Sequence, residues 1–205
     1  MIQAIIFDFG GVLTRPDRRH DLIRQAEREL GLAENELLYR MYGQEPWLLV
    51  STGRISESEF RTRVETELGR PIPPALEDWH QVMFAEEMNT EVLALLPQLR
   101  LDYKLALLSN AVSSFDPWLE RQIEIRSLFD VVVISGVVGL RKPDAAIYYL
   151  TAEQLGVEPP DCLFIDDKQR NTVAAESVGM QTIIFKSAEQ LRAELEKRGI
   201  VMRNP

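Results

Sequence analysis

The sequence predicts an α/β fold, in which a doubly wound parallel sheet carries a small all-helical domain. The first observation is a set of apolar, β-branched runs that have the length of buried parallel strands. They occupy residues 3–7, 104–108, 131–135, 162–165 and 181–185. The second is that helical patterns alternate with the later runs, as they do in parallel sheets. The third is an ordinary globular composition over 205 residues, with 45% hydrophobic and 27% charged residues, which suits one core domain with an insert.

The predicted helices between the later strands have recognisable start and stop signals. Pro143 can open a helix that Gly156 closes. A second helix, over residues 171–178, is also followed by a glycine. Ser187 and Gln190 form a capping box that starts the last helix. These signals support the alternation of strands and helices in the second half of the chain.

The segment after the first run has no convincing strand pattern. Its amphipathic patterns predict helices over residues 21–30, 34–41, 57–68 and 74–85. Ser56 and Glu59 form a capping box at the start of the third of these helices. We therefore predict a core domain made of residues 1–14 and 89–205, and a helical cap domain made of residues 15–88.

The charge balance argues against nucleic acid and membranes as partners. The net charge is −9, the sequence pI is about 4.9, and the 23 basic residues are scattered along the chain. Binding to a phosphate backbone or to an anionic lipid surface needs clustered lysine and arginine side chains. We expect neither kind of partner.

Cysteine usage and the N-terminal residues indicate the compartment. Cys162 is the only cysteine, so it cannot form an intrachain disulfide, and it lies in an apolar run that predicts a core position. Residues 1–8 have no basic start and already include a carboxylate, unlike a signal peptide. No apolar stretch approaches the roughly 18 residues that a membrane helix needs. We predict a cytoplasmic protein.

Polar residues stand near the carboxyl ends of four predicted strands. In open α/β sheets these ends meet at one edge, which is where ligands bind. The residues that share this position are Asp8, Ser109, Asn110, Lys142, Asp166 and Asp167. Taken singly, such residues are more often turn or cap residues than catalytic ones. Their occurrence at four strand ends of one chain predicts a common site.

The charges of this predicted site call for a cation. Asp8, Asp166 and Asp167 contribute three negative charges and Lys142 returns one, which leaves the site near −2. Two like charges about 4 Å apart repel by roughly 4 kcal/mol at an effective dielectric constant of 20. Oxygen ligands without a nearby histidine or cysteine suit Mg²⁺ better than zinc. The residues therefore predict Mg²⁺ as the cofactor.

The four strand ends resemble, in the same chain order, the four motifs of the haloacid dehalogenase superfamily of hydrolases. The matching segments are residues 6–14, 108–110, 142–143 and 164–167. The resemblance implies a Rossmann-like core with a helical cap inserted after the first motif. It implies Asp8 as the nucleophile, Lys142 as the charge-balancing lysine and Ser109 as a phosphate binder. The metal ligands that it implies are Asp8, the Gly10 carbonyl, Asp166 and, most directly, Asp167.

The resemblance and the charge count together predict a Mg²⁺-dependent phosphatase. Asp8 would attack the phosphorus of a small phosphate monoester, such as a sugar phosphate, and form an aspartyl-phosphate that water hydrolyses. Lys142, Ser109 and the backbone amides near Asn110 would hold the remaining phosphate oxygens. The expected partner is thus a small phosphorylated metabolite.

One position departs from the family pattern. Phosphatases of this superfamily usually carry a second aspartate two positions after the nucleophile, as general acid and base, and this chain has Gly10 there. General acid catalysis is typically worth about 10²–10⁴-fold. Three explanations stay open. The leaving group departs unprotonated, a cap residue or water supplies the proton, or the leaving group is a halide that needs none.

Two other functions stay open. The 2-haloacid dehalogenases of the superfamily also lack the second aspartate and share the Ser-Asn and Lys-Pro pairs, and Tyr148 would fit them. They need no metal, however, and resemble Ser-Ser-Asn where this chain has Asp166 and Asp167, whose charges would repel a haloacid carboxylate. The second alternative is a catalytically weak regulator that binds Mg²⁺ and a phosphate ligand.

The identity of the substrate and the oligomeric state are left open by the sequence. In a protein of this kind the cap sets the substrate, and the candidate residues there are His20, Tyr42, Trp47 and Arg54. The histidines and tryptophans of the chain are equally compatible with packing roles.

Overall fold

A computed structural model of the chain describes residues 1–15, 17–72 and 87–203, with the backbone alone described for residues 17–20. Its strands are β1 (Ala4–Phe7), β2 (Thr14–Arg15), β3 (Glu87–Met88), β4 (Lys104–Ser109), β5 (Val131–Ile134), β6 (Cys162–Asp166) and β7 (Gln181–Ile184). The five apolar runs of the sequence are all strands, and each observed boundary lies within one residue of the predicted one. The positions of these five strands are confirmed, but the sequence pattern missed β2 and β3, which pair with each other in an antiparallel manner.

Five of these strands form one parallel sheet in the order β5-β4-β1-β6-β7. Along the chain, β4 and β5 are added on one side of β1, and β6 and β7 are then added on the other side. The strand order therefore reverses between β1 and β6, which is the position where doubly wound sheets bind ligands. The predicted fold class, a doubly wound parallel sheet, is confirmed.

Helices cover both faces of this sheet and extend away from it. They are α1 (Asp17–Leu30), α2 (Glu36–Tyr42), α3 (Glu45–Val50), α4 (Glu57–Leu68), α5 (Thr90–Leu93), α6 (Leu96–Leu99), α7 (Phe115–Arg121), α8 (Ile123–Arg126), α9 (Ser135–Val138), α10 (Ala145–Leu155), α11 (Gln169–Ser177) and α12 (Ala188–Lys197). The sequence pattern missed α3 and the helices α5 to α8, and it gave residues 136–139 as a turn where the structure has the short helix α9. The predicted helix over residues 74–85 lies outside the described residues.

The sheet is buried on both faces because successive strand residues point to opposite sides. In β1, Ile5 and Phe7 lie in the cluster that includes residues of α6, α7 and α12. Ala4 and Ile6 lie in the other cluster, with residues of α10 and α11. Cys162 is fully buried in this second cluster, as predicted for a core residue. Burial on both faces explains why the strands read as continuous apolar runs.

Helices α1 to α4 have a hydrophobic cluster of their own. Its buried members include Ile23, Leu37, Met41 and Phe60. Ser56 caps α4 as its sequence predicts, since its hydroxyl accepts a hydrogen bond from the Glu59 amide at 3.1 Å. The division into a core of residues 1–14 and 89–205 and a cap of residues 15–88 stays a prediction. Within the described part of the chain, no helix has both the length and the apolar character that crossing a membrane requires.

The α1–α4 cluster touches the main sheet at the loop that follows β4. Val112 of this loop is fully buried and belongs to that cluster. The Glu57 carboxylate of α4 accepts a hydrogen bond from the Ser114 amide at 3.2 Å. A Cβ atom on Gly53 would lie 2.7 Å from the carbonyl oxygen of Gly136, so the two backbones are in close contact. The loop beyond Ser109 is therefore packed against the helical segment.

Candidate active site

The centre of the sheet brings two of the predicted site residues side by side. Asp8 follows β1 and Asp166 ends β6, and these strands pair in a register that places Phe7 opposite Ile165. The Asp8 amide donates to the Ile165 carbonyl at 2.9 Å, which continues the pairing by one residue. Asp8, Asp166 and Asp167 each present a carboxylate oxygen within 4.8 Å of the others. Their convergence follows from the reversal of strand order.

Lys142 supplies the positive charge of this cluster. Its Nζ lies 2.7 Å from Asp8 Oδ1 and 2.8 Å from Asp166 Oδ2, and it donates to the Leu108 carbonyl at 2.8 Å. Each ammonium hydrogen thus has one oxygen partner. The Lys142 side chain is only 1% exposed. Its charge is tolerated in the interior because it is fully paired.

The side chain of Asn110 binds the backbone of Lys142. Its side-chain oxygen accepts from the Lys142 amide at 2.9 Å, and its side-chain nitrogen donates to the Lys142 carbonyl at 2.8 Å. The side chain predicted to lie in a substrate-binding segment is therefore engaged in positioning the lysine. Ser109, buried at the end of β4, is the next residue back along the chain. The roles of Ser109 and of the Asn110 backbone amide in substrate binding stay predictions.

Asp166 is the most heavily hydrogen-bonded carboxylate of the site. Its Oδ2 accepts from Lys142 Nζ at 2.8 Å and from Asn171 Nδ2 at 2.9 Å. Its Oδ1 accepts from the Lys168 amide at 2.8 Å and again from Asn171 at 2.9 Å. Burial alone would raise the pKa of Asp166, but Lys142 and these hydrogen bonds hold its pKa below the ordinary value.

Asp8 has a different environment, although it shares Lys142 with Asp166. Burial and the neighbouring charge of Asp166 together outweigh Lys142 and raise the pKa of Asp8 to about 6. Among the described residues, the partners of its side chain contact Oδ1: the Phe9 amide at 2.7 Å and Lys142. Oδ2 therefore accepts no hydrogen bond from the described part of the chain, and the role of Asp8 as nucleophile stays a prediction.

A tight turn, Phe9–Leu13, leads the chain away from Asp8. Gly10 and Gly11 have non-helical backbone angles inside it, and Gly11 has a φ of 85°. A Cβ atom on Gly11 would lie 2.7 Å from Asp167 Oδ2, so only glycine allows this approach. Asp167 is thereby placed beside the turn, with its side chain 33% exposed and Oδ1 at 3.2 Å from Lys168 Nζ. The Gly10 carbonyl as a metal ligand stays a prediction.

Replacing Gly11 by alanine tests this close approach. The variant is expected to lose about 1 kcal/mol of folding free energy through its positive φ, and also to bind Mg²⁺ at least about 10-fold more weakly, because Asp167 must move. Gly199→Ala is the matched control, since Gly199 has a φ of 71° and no atom within 4 Å of an added Cβ. Chemical denaturation and titration calorimetry measure the two effects. Equal Mg²⁺ affinities in the two variants would contradict the expectation.

Two site residues were missed by sequence reasoning, namely Asn171 and Lys168. Asn171 binds both oxygens of Asp166 from the first turns of α11. The signal was available, because Asn171 follows the paired aspartates by about one helical turn. Lys168 adds a second positive charge at the cluster, which the predicted charge count omitted.

Tyr148 is part of the hydrophobic core. It is fully buried, its hydroxyl donates to the backbone carbonyl of Asn171 at 2.9 Å, and its ring packs on Phe164 at 5.4 Å. Burial, and the nearby carboxylates after it, raise the pKa of Tyr148. These contacts explain Tyr148 as a packing residue beneath the site.

Two of the candidate cap residues also take part in packing. The rings of Tyr42 and Trp47 lie 4.9 Å apart and both are packed against the α1–α4 cluster. Arg54 is exposed in the loop before α4. The side chain of His20, also a candidate, lies outside the described residues. The substrate-facing residues of this segment stay predictions.

Comparison with known proteins agrees with the fold. The haloacid dehalogenase-like hydrolase family model matches residues 2–179. D-ribitol-5-phosphate phosphatase of Bacteroides thetaiotaomicron is 30% identical over 204 residues, which cover 95% of this chain and 97% of that protein. A phosphatase of Mycobacterium tuberculosis is 32% identical over 204 residues, which cover 93% of this chain and 90% of that protein.

A solved structure shares the fold at lower sequence identity. It is a HAD family enzyme of Bacteroides thetaiotaomicron in complex with magnesium and inorganic phosphate. The TM-score is 0.71 and the identity 22%, with 91% of this chain and 96% of that chain covered. Since the family model spans most of the sequence, the chain belongs to the haloacid dehalogenase-like hydrolases.

Proposed function

We propose that this hydrolase is a Mg²⁺-dependent phosphatase that acts on a small phosphate monoester through an aspartyl-phosphate on Asp8. The observation that carries the proposal is the convergence of Asp8, Asp166 and Asp167 within 4.8 Å, beside the fully paired ammonium of Lys142. Three carboxylates in a partly buried position favour a hard divalent cation. A cation in turn favours a phosphate group over a neutral substrate.

The donor set fits Mg²⁺. It consists of oxygen atoms, and Asp167 is held next to the turn that contains Gly10 and Gly11. Asp8 and Asp167 are the proposed side-chain ligands, together with the Gly10 carbonyl, and Asp166 completes the acidic cluster. When bound, Mg²⁺ would offset negative charge on the phosphate group. The HAD family enzyme that was solved with magnesium and inorganic phosphate supports this choice.

The proposed chemistry assigns a separate task to each residue. Asp8 Oδ2 attacks phosphorus, the new O–P bond forms, and the ester P–O bond breaks as the alcohol oxygen leaves. Lys142 holds Asp8 in position and keeps its carboxylate ionised, while Asp166 holds Lys142. Water then hydrolyses the aspartyl-phosphate and restores Asp8. Because residue 10 is glycine, the proton for the leaving oxygen comes from another source, such as water or the cap.

One relative supports a small polyol or sugar phosphate as the substrate. D-ribitol-5-phosphate phosphatase matches this chain over nearly the full length of both proteins. The charge of the cluster argues against a haloacid, because its carboxylate would meet Asp166 and Asp167 without the benefit of a metal.

A screen of phosphorylated metabolites and haloacids tests the proposal. Each compound is incubated with the protein in Mg²⁺ and, in parallel, in EDTA, and released phosphate and halide are measured. Phosphate release that requires Mg²⁺ is expected, with polyol and sugar phosphates among the best substrates. Halide release that EDTA does not affect would instead identify a dehalogenase. Absence of turnover, together with tight binding of Mg²⁺ and phosphate, would favour the regulator.

A further inference from the structure

Lys168 places a second ammonium group at the carboxylate cluster. Its Nζ lies 3.2 Å from Asp167 Oδ1, and its side chain is 48% exposed. Its backbone amide donates to Asp166 Oδ1 at 2.8 Å, which anchors the residue between the two aspartates and the start of α11. In the proposed chemistry Lys142 balances Asp8 and Asp166. Lys168 has no task there.

The charge of Lys168 acts on the whole cluster. Its ammonium contacts Asp167 Oδ1, and the carboxylates of Asp8, Asp166 and Asp167 lie within 4.8 Å of one another, so the charge stands beside all three. With Lys168 included, three negative and two positive charges give a net charge near −1 instead of −2. A bound divalent cation would make the site near +1 instead of neutral. The lysine thus opposes the cation and favours an anion.

We propose that Lys168 weakens Mg²⁺ binding and strengthens phosphate binding, so that the metal-loaded site is selective for a dianionic phosphate group. This inference rests on the proposed function. In the metal-free protein the ammonium is the partner of Asp167, and Mg²⁺ has to replace it there. Loss of this ion pair weakens Mg²⁺ binding only modestly, because an ion pair whose members are this exposed is weak. The released ammonium stays near the cluster, since its backbone amide is fixed on Asp166.

The test measures two affinities that this inference moves in opposite directions. Lys168→Met keeps the backbone hydrogen bond and the side-chain length but removes the charge. Titration calorimetry without substrate is expected to show that Mg²⁺ binds about 5-fold more tightly to this variant than to the wild type. Inorganic phosphate, titrated at saturating Mg²⁺, is expected to bind about 5-fold more weakly. Lys168→Arg keeps the charge, and both of its affinities are expected to lie within about 2-fold of the wild-type values.

Lys197→Met is the control for overall charge. Lys197 is exposed in α12, so its substitution removes the same charge at a position away from the site. It is expected to leave both affinities unchanged. A thermal melt of each variant checks that it is folded. If Lys168→Met changes neither affinity, or shifts both in the same direction, the role of Lys168 is wrong while the phosphatase proposal stands. If the wild type itself binds neither Mg²⁺ nor phosphate, the proposed function fails first.

Discussion

Asp8→Asn is expected to abolish phosphate release, with a loss of at least about 10⁴-fold, while the protein stays folded. Asparagine has nearly the same shape, but its amide oxygen is too weak a nucleophile to form the acyl-phosphate bond. In the variant, Lys142 keeps its hydrogen bonds to Asp166 and the Leu108 carbonyl, and the amide oxygen of the asparagine can still accept from its Nζ. Steady-state phosphate release measures the loss, and mass spectrometry of acid-quenched protein is expected to find a phosphorylated peptide only in the wild type.

The same variant is expected to be more stable than the wild type at neutral pH without metal. The pKa of Asp8 is raised from 3.8 to about 6 in the folded protein. The contribution of this group to stability is therefore fully present below pH 3.8 and is lost as the pH rises through about 6. Asparagine does not titrate, so the advantage of the variant should grow between pH 4 and pH 7. Denaturant unfolding in EDTA over this range measures the difference.

Asp102→Asn is the control for the loss of one carboxylate. Asp102 lies before β4, at the opposite edge of the sheet, where it pairs with Arg203 at 3.2 Å. The control is expected to keep wild-type turnover. If Asp8→Asn also kept wild-type turnover, the nucleophile assignment would have to be abandoned.

Lys142→Met is expected to lower turnover by at least about 10²-fold and to reduce the free energy of unfolding by about 3 kcal/mol. The substitution preserves side-chain length but leaves Asp8 and Asp166 buried without their common cation. Asp166 is fully buried, so it cannot recover the lost interaction from water. The depressed pKa of Asp166 also contributes stability at neutral pH that is lost as the pH falls through its folded value. Without Lys142, most of that contribution disappears.

A double variant separates the two effects of Lys142. Lys142→Met combined with Asp166→Asn removes one positive and one negative charge, so the stability lost in the single variant is expected to return in large part. Turnover is expected to stay low in both variants, because Asp8 still lacks its cation. Urea denaturation and phosphate release measure stability and activity separately. Wild-type stability and activity in the single variant would contradict the structural pairing of Lys142 with both carboxylates.

The strands and the general position of the site could be predicted because their causes are local. A parallel strand that is covered on both faces must be apolar throughout, so residues 104–108 and 162–165 read as strands without further information. Polar residues that end such runs lie at one edge of any parallel sheet, whatever the strand order. This was sufficient to group Asp8, Lys142 and Asp167. The residue types then indicated the cation, because charge does not depend on exact geometry.

The division of tasks within the site was not predictable, since it depends on contacts between distant segments. The sequence alone determined an α/β hydrolase with an acidic cluster at its strand ends. Only the tertiary structure decided that Asn110 clamps the Lys142 backbone, that Asp166 is saturated by Lys142, Lys168 and Asn171, and that Tyr148 is a core residue. A strand pattern predicts the position of a residue along its strand, but not the contacts of its side chain. The partner that it reaches depends on the strand order, which places β1 between β4 and β6, and local periodicity does not contain that order.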